Sequence, residues 1–276
     1  MNPHSPHLTS PSAIFKSAVT YRELVLKLAR MDVISRYRGS FLGLGWSFFN
    51  PLLLLSVYTF VFSFVFKARW GGGTGDSPSE YALVLFAGLL VHAFFAEVLN
   101  RAPALILNNT NYVKKVVFPL EVLPIVTLLA AVFHMMISIV VLVFAFLAFN
   151  GFFHWTVFLI PVVVLPLAML MMGLAWFLTS LGVFVRDVGQ TIGILTTVLL
   201  FMSPVFYPMS SLSEKLQWIM LLNPLTFVIE QARAVLIFGT PPNWLGLLIY
   251  SMISFLCMWG GFVFFQKTRK GFNDVL

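Results

Sequence analysis

Six long apolar runs follow one another between residues 42 and 265. A helix needs about 20 apolar residues to cross the ~30 Å hydrocarbon core of a bilayer. Each run can therefore cross a membrane, and the longer ones must tilt or project from it. The runs cover approximately residues 42–66, 81–99, 117–149, 156–185, 188–207 and 244–265. The sequence predicts an all-α polytopic membrane protein with six transmembrane helices.

The composition supports a membrane protein over a soluble one. Of the 276 residues, 59% are hydrophobic and 10% are charged, whereas a soluble domain carries about 25% charged residues. We expect one integral membrane domain without an appended soluble domain. The net charge of +7 comes from cations that flank the apolar runs, which membrane topology explains better than nucleic-acid binding. Cys257 is the single cysteine, so an intrachain disulfide and a thiolate metal cluster are excluded, and we expect no metal site.

Lysine and arginine are distributed unequally between the two sides of the membrane. With the N-terminus in the cytoplasm, thirteen of them lie on the cytoplasmic side and four lie outside. Cytoplasmic loops carry the excess of Lys and Arg in multi-pass proteins. The sequence therefore predicts that both termini are cytoplasmic. It also predicts a polar N-terminal tail at 1–13, a transmembrane domain at 41–266 and a cytoplasmic tail at 267–276.

Residues 14–40 predict an amphipathic helix that lies in the membrane plane. Thr20 and Glu23 have the spacing of a capping box, and Gly39 is a suitable end. One side of the helical wheel is apolar and the opposite side is charged. The apolar side holds Leu24, Val25, Leu28 and Met31, and the charged side holds Arg22, Glu23, Lys27 and Arg30. Such a basic amphipathic helix binds at a membrane surface. An ordinary solvated helix is the alternative, and it is disfavoured because a span follows at once.

The segment 211–242 is apolar, yet it is divided into two helices that are too short to cross a membrane. Ser211 and Glu214 have capping-box spacing for the first helix. Asn223 can cap the second helix, with Pro224 at its first position and Gly239 at its end. A helix of about 15 residues extends only ~22 Å. We therefore expect a re-entrant pair on the outer side, between spans five and six.

Three polar residues fall along one stripe of the second short helix: Thr226, Glu230 and Arg233. Glu230 and Arg233 are three residues apart, which permits an ion pair on a helix. The stripe either lines a polar exit or is the wetted face of a re-entrant helix. The sequence does not decide between these two interpretations.

The cytoplasmic loop 101–119 is too polar in its middle to cross the membrane. A short helix around 104–112 would lie across the membrane base and present Leu107, Asn108, Asn109 and Tyr112. These residues either dock a soluble partner or belong to a simple connector. The chain contains no Gly-Lys-Ser/Thr phosphate-binding motif, so ATP that drives transport has to bind to another polypeptide.

Ionisable groups within spans are costly and are functional candidates by default. His92 and Glu97 lie in the second predicted span, and His134 lies in the third. Glu97 is four residues before Arg101, a spacing that favours a structural ion pair on one helix face. Pro51 falls inside the first span and predicts a kink there.

Five segments together resemble the transmembrane subunit of ABC exporters for polysaccharides. That family exports lipid-linked O-antigen, capsular polysaccharide or teichoic acid. The segments follow in the family's order, and the resemblance covers nearly the whole chain from about residue 14. They are RYRGSFLGLGWSFFNPLLLLSVYTFVF (36–62), KVVFPLEVLP (115–124), RDVGQ (186–190), SPVFYP (203–208) and NPLTFVIEQAR (223–233).

The resemblance implies a half-transporter of the bacterial inner membrane. Two copies would form a channel, and two separate ATPase subunits holding ATP and Mg would bind the cytoplasmic face, so this chain itself would hold no cofactor. The loop 101–119 matches the position of the family's coupling helix, and 211–242 matches its outer gate helices. Arg36, Tyr37 and Arg38 match the end of its interfacial helix, where a lipid headgroup would enter.

The predicted function is export of a lipid-linked polysaccharide, with O-antigen as the favoured cargo, by a permease subunit that is not an enzyme. Aromatic residues make up 16% of the chain, and sugar rings can slide along aromatic faces. Trp46, Phe49 and Tyr58 are the predicted channel-lining residues. The alternatives are an ABC permease for a drug or lipid, a secondary transporter, and a membrane enzyme acting on lipid-linked sugars. The enzyme would require a cluster of carboxylates or histidines at one membrane face, and the ten acidic residues are scattered.

Overall fold

The computed structural model describes residues 9–66, 70, 78–114 and 118–276. Within these ranges the regular structure is helical, which confirms the predicted all-α class. The predicted N-terminal tail up to residue 8, the outer cations Lys67 and Arg69, and Lys115 lie outside the described residues.

Twelve α-helices follow one another in the described chain. In order they are α1 Pro11–Thr20, α2 Arg22–Tyr37, α3 Trp46–Tyr58, α4 Pro78–Arg101, α5 Thr110–Lys114, α6 Val122–Asn150, α7 Ile160–Phe184, α8 Val188–Met202, α9 Glu214–Leu221, α10 Pro224–Leu236, α11 Trp244–Thr268 and α12 Phe272–Val275. A π-helical segment, Thr59–Val65, continues α3.

Five helical segments of the described chain are long and apolar enough to cross a membrane, and the pair α9 and α10 makes a sixth if the two are counted as one span bent by 99°. The five segments contain α3, α4, α6, α7 and α11. The polytopic architecture is confirmed, but the expected fifth span, 188–207, is shorter than predicted. Its helix, α8, has 15 residues and extends only about 22 Å. It ends at Met202 because Pro204 holds Ser203 in an extended conformation.

The predicted interfacial helix is two helices rather than one. Thr20 ends α1 instead of capping the next helix, and α2 begins after Tyr21 without a side-chain cap. The capping box predicted at Thr20 and Glu23 is therefore wrong. The helix α2 ends at Tyr37, just before Gly39, whose φ of 83° reverses the chain direction.

The helix α2 is held against the protein by a narrow apolar face. Val25, Ala29 and Val33 are buried, and Val25 and Ala29 pack against Val122 and Val126 of α6. Met31, expected on the apolar side, is 64% exposed. Val25, Ala29 and Val33 are spaced four residues apart, so they lie above one another on the same face of the helix.

The helix α4 lies at the centre of the fold: 78% of its most apolar window is buried, against 33% for α6 and 28% for α11. The helices α7 and α11 approach closely at Gly173 and Gly261. A Cβ atom at either glycine would collide with the backbone of the other helix. Small residues of this kind allow membrane helices to pack backbone against backbone.

The short helices α9 and α10 confirm the predicted division of the segment 211–242. The Asn223 side chain accepts a hydrogen bond from the Leu225 N–H, and Pro224 occupies the first helical position, as predicted. The predicted start at Ser211 is wrong. Ser211 belongs to a short 3₁₀ turn, and α9 begins after Ser213. The helix α10 ends at Leu236, three residues before Gly239.

Candidate functional site

A cavity of about 350 Å³ lies among α3, α4, α6 and α8, next to the end of α2. One part of its wall is polar and carries two histidines. The polar lining consists of Tyr37, Ser47, Asn50, Tyr58, His92, His134 and Ser138. The remaining wall is apolar, with Pro51, Leu54, Phe86, Leu89, Leu90, Ala93 and Leu200. Apolar walls with a few convergent polar groups are typical of ligand-binding cavities.

The helix α3 supplies five of the residues that line the cavity. It remains α-helical through Pro51. The departure from α-helical geometry lies at the π-helical segment Thr59–Val65, which begins directly after Tyr58. Insertions of this type are frequent at functional sites.

The three predicted channel-lining residues lie in different surroundings. Tyr58 lines the cavity. Trp46 is half-buried at the start of α3, and Phe49 is 42% exposed on the outer side of that helix. Within one protomer, only Tyr58 of these three contributes to the cavity wall described above.

His92 joins the cavity wall to α8. Its Nε2 lies 2.9 Å from the carbonyl oxygen of Thr196 and donates to it. Thr196 in turn donates from Oγ1 to Asn100 Oδ1 at 3.0 Å. The buried His92 Nε2 therefore has a hydrogen-bond partner, and this bond links α4 to α8 at the cavity.

Charged side chains of three helices meet below the cavity and form what we call the α2–α4–α6 network: Asp32, Arg36, Tyr37, Glu97, Arg101 and His134. Arg101 donates to both carboxylate oxygens of Asp32, at 2.6 and 2.9 Å. Arg36 contacts Glu97 at 2.6 Å and Asp32 at 3.6 Å. Two arginines thus balance two carboxylates, which offsets the cost of placing charge at a membrane boundary.

His134 connects this network to the cavity. Its Nδ1 lies 3.0 Å from Glu97 Oε1, and its Nε2 lies 3.2 Å from the Tyr37 hydroxyl. The same Nδ1 lies 3.2 Å from Arg36 Nη1, so a carboxylate and a guanidinium both face this ring nitrogen. Burial raises the pKa of the Tyr37 phenol, so its hydroxyl remains protonated beside Nε2. Both Tyr37 and His134 also line the cavity.

The predicted ion pair between Glu97 and Arg101 is wrong. Both residues lie on α4 at the expected spacing, but Glu97 pairs with Arg36 and Arg101 pairs with Asp32. A pair four residues apart on one helix contributes only about 0.5 kcal/mol. Partly buried partners on a neighbouring helix with bidentate geometry are stronger. Asp32, the acidic residue among the cations of α2, was missed, and its spacing from Arg36 was the available signal.

Of the three residues predicted at the end of the interfacial helix, two belong to this network. Arg36 and Tyr37 face inward, to Glu97 and His134. Arg38 follows the last turn of α2 and is exposed. Arg36 is exposed as well, but Arg38 lies outside the network.

The loop between α4 and α6, predicted to be cytoplasmic, contains short turns rather than one helix over 104–112. The 3₁₀ turns Ala102–Ala104 and Leu107–Asn109 precede α5. The predicted docking residues are mixed in exposure: Asn108 is exposed, whereas Leu107, Asn109 and Tyr112 are half-buried. The Asn109 side chain donates to the Leu105 carbonyl at 2.8 Å, and Tyr112 stacks on Phe118 with ring centroids 4.3 Å apart.

The inner side of this loop is fixed to α7 and to the C-terminal segment. Thr179 donates to the Ala102 carbonyl at 2.9 Å, and Gly182 leaves room for the backbone of Pro103. Phe272 is fully buried in the cluster that also contains Ile106. The described part of the loop therefore has one face packed on the membrane domain, and Asn108 is exposed.

Arg233 is the most buried charged residue described, with no exposed surface. Its guanidinium donates to the carbonyl oxygens of Val84, Pro204 and Val205, at 3.1, 2.6 and 2.8 Å. The predicted pair with Glu230 is present at 2.9 Å, and the guanidinium lies 4.4 Å from the centroid of the Trp70 ring. Arg233 thus joins α10 to α4 and to the turn after α8.

The polar stripe of α10 faces the protein interior. Thr226 is 1% exposed and Arg233 is not exposed, whereas the Glu230 side chain is 37% exposed. The interpretation as a wetted helix face is therefore wrong for Thr226 and Arg233. The stripe fixes α10, while the preceding helix α9 has no buried residue at all.

Comparison with known proteins identifies the family and several relatives. Residues 23–237 match the ABC-2 type transporter family. The O-antigen export system permease protein RfbA of Myxococcus xanthus is 28% identical over 256 residues, covering 92% of this chain and 95% of the relative. Two proteins of the same name from Klebsiella pneumoniae are 27% identical over 262 residues and 26% identical over 263 residues, with the same coverage.

Proposed function

This chain belongs to the ABC-2 type transporter family, and we propose that it exports lipid-linked O-antigen across the bacterial inner membrane. It is a multi-pass permease subunit, a transport component and not an enzyme, and it works with an ATP-binding partner. The observation that carries the proposal is the similarity to O-antigen export permeases over 92% of the chain. The partner would supply the bound ATP and Mg, and the cofactor-free chain would supply the path.

The cavity supports a path for an amphiphilic cargo. Its polar wall offers hydroxyl, amide and imidazole groups from Tyr58, Asn50 and His92, and its other wall is apolar. A glycan needs hydrogen-bonding partners and aromatic side chains along which its sugar rings can slide. Its lipid anchor needs an apolar surface. Arg38, exposed at the end of α2, is positioned to attract the phosphate of the lipid headgroup.

A second copy of the chain would enclose this path. The helices α3 and α8 flank the cavity and expose apolar side chains, including Leu53 at 52%, Ile194 at 60% and Phe201 at 64%. Pairing of two copies across these helices would cover that surface and join two cavities. Both termini and the loop between α4 and α6 would then lie in the cytoplasm, where the loop's exposed Asn108 can contact the ATPase.

The outer gate function would belong to α9 more than to α10. The helix α10 is anchored through Arg233 and seven other buried residues. The helix α9 exposes Trp218, Ile219 and Leu221 at 73%, 52% and 54%, and few contacts hold it in place. Elements with few buried contacts open at low free-energy cost, so α9 is the part that would move when cargo leaves.

Deletion of this chain in its source bacterium tests the proposal. We expect lipid-linked O-antigen to accumulate on the cytoplasmic side, where membrane-impermeant periodate oxidises it in inverted vesicles but not in intact cells. Deletion of the partner ATPase should give the same accumulation, and a plasmid copy of the chain should reverse it. Loss of the lipid-linked glycan itself, or normal surface O-antigen in the deletion strain, would refute the proposal.

A further inference from the structure

The α2–α4–α6 network forms a continuous line of contacts from the cavity to the cytoplasmic loop. Tyr37 and His134 lie in the cavity wall, and Glu97 and Arg36 follow below them. Asp32 bridges Arg36 to Arg101. Arg101 is the last residue of α4, and the loop begins with the next residue, Ala102. A movement of the loop therefore reaches Arg101 first.

We propose that the α2–α4–α6 network transmits movement of the cytoplasmic loop to the cavity, with Asp32 and Arg101 as positioning residues for export. This inference rests on the proposed export function, because it assigns the residues that link ATP hydrolysis in the partner to displacement of cargo. Neither residue touches the cavity, so both act through Arg36, Glu97 and His134.

The distances show how the network can have two arrangements. Asp32 contacts both arginines. Its two carboxylate oxygens bind Arg101 at 2.6 and 2.9 Å, and the Arg36 guanidinium lies 3.6 Å from one of these oxygens. Arg36 is shared as well, since its close partner at 2.6 Å is Glu97. When Arg101 moves away with the loop, Asp32 is left without its bidentate partner and draws Arg36 from Glu97. Glu97 then keeps His134 as its partner, and the charge next to the cavity wall at His134 changes.

Side chains with alternative partners give discrete states, and such two-state elements carry coupling between distant sites. The exposure of the four charged side chains, between 19% and 31%, keeps them in contact with water, so exchange of partners does not require burial of an unpaired charge. The apolar contacts of Val25 and Ala29 with α6 keep α2 in place during this exchange.

The experiment measures cargo translocated per ATP hydrolysed in inverted inner-membrane vesicles of the source bacterium. The vesicles contain the separate ATPase, and translocation is read as protection of lipid-linked O-antigen from periodate. We expect Asp32→Asn and Arg101→Gln each to lower translocation per ATP about tenfold, within the ordinary range of coupling between sites. ATP hydrolysis and the amount of assembled complex should stay within about twofold of wild type. Asp32→Glu, which keeps the carboxylate, should retain most of the wild-type translocation per ATP hydrolysed.

A double variant and a matched control separate coupling from loss of structure. If Asp32 and Arg101 act as one unit, Asp32→Asn combined with Arg101→Gln should be no worse than either alone, whereas independent effects multiply. Glu121→Gln removes an ion pair with Arg269 of the same length, 2.6 Å, from residues that do not line the cavity. Its ratio of translocation to ATP hydrolysis should remain that of wild type.

The outcomes distinguish the two proposals. If wild-type vesicles show no ATP-dependent protection of the glycan, the export function itself is wrong. If wild-type vesicles export the glycan and the Asp32→Asn and Arg101→Gln variants translocate as much per ATP hydrolysed, the export function is supported. The network then does not transmit movement. The network proposal is also overturned if translocation falls only in proportion to protein amount, or if Glu121→Gln lowers the ratio as strongly as Asp32→Asn.

Discussion

Replacement of Arg233 by methionine should be among the most destabilising single changes in this protein. The side chain is fully buried and donates to three backbone carbonyls that belong to α4 and to the turn after α8. Methionine fills a similar space but leaves the carbonyls of Pro204 and Val205 without a donor, whereas the Val84 carbonyl keeps its hydrogen bond within α4. A buried acceptor without a partner costs about 1–3 kcal/mol.

The expected net cost of Arg233→Met is about 3–5 kcal/mol. The two unpaired carbonyls set the upper part of this range, and the removal of a buried charge returns some of it. Glu230→Gln provides the comparison, because Glu230 is 37% exposed and glutamine retains an acceptor oxygen for Arg233. The carbonyls and the Trp70 ring still surround the guanidinium, so the cost of Glu230→Gln should be about 1 kcal/mol.

Thermal unfolding in detergent, followed by size-exclusion chromatography of a fluorescent fusion, measures the difference. With about 2–4 °C per kcal/mol, Arg233→Met should lower the apparent melting temperature by roughly 10 °C and Glu230→Gln by roughly 3 °C. Equal losses for the two variants would refute the argument, because the ion pair and not the three carbonyls would then hold the guanidinium. Glu230→Gln is accordingly the variant in which to measure leak or altered export with insertion into the membrane intact.

Two further predictions concern local geometry. Asn223→Ala should destabilise the protein by about 1–2 kcal/mol, because Asn223 caps α10 and also donates to the Met202 carbonyl and Ser203 Oγ. Asn223→Asp, which keeps the cap acceptor, should recover part of this loss in the same melting assay, and identical losses for both would contradict the cap. Gly261→Ala should prevent accumulation of folded protein, because the added Cβ meets the backbone of Gly173. The neighbouring change Gly260→Ala meets nothing within 4 Å and should be tolerated; equal expression of the two would refute the close approach of α7 and α11.

The candidate site was partly accessible from the sequence. His92, His134 and Glu97 were identified because ionisable groups in apolar runs are rare, and all three take part in the cavity wall or in the network beside it. Their partners were not identified. The spacing between Glu97 and Arg101 favoured a pair within one helix, but α2 brings Asp32 and Arg36 close to both. Spacing along one helix reveals only the neighbours on that helix.

The sequence by itself determined the features that depend on short stretches of chain. The length of an apolar run decides whether a helix can cross a bilayer, and Asn223 with Pro224 determines where α10 begins. These interactions involve residues within one or two helical turns, so their geometry is already implied by their order.

Only the tertiary structure decided which charges are paired, which polar side chains are buried, and where a cavity remains. Arg233 lies on a stripe that a helical wheel cannot distinguish from a solvated face, yet the carbonyls of Val84 and Val205 enclose it. Those partners are 149 and 28 residues away along the chain. The energy of a charge depends on all the groups around it in space, and the packing of α4, α8 and α10 brings these groups together.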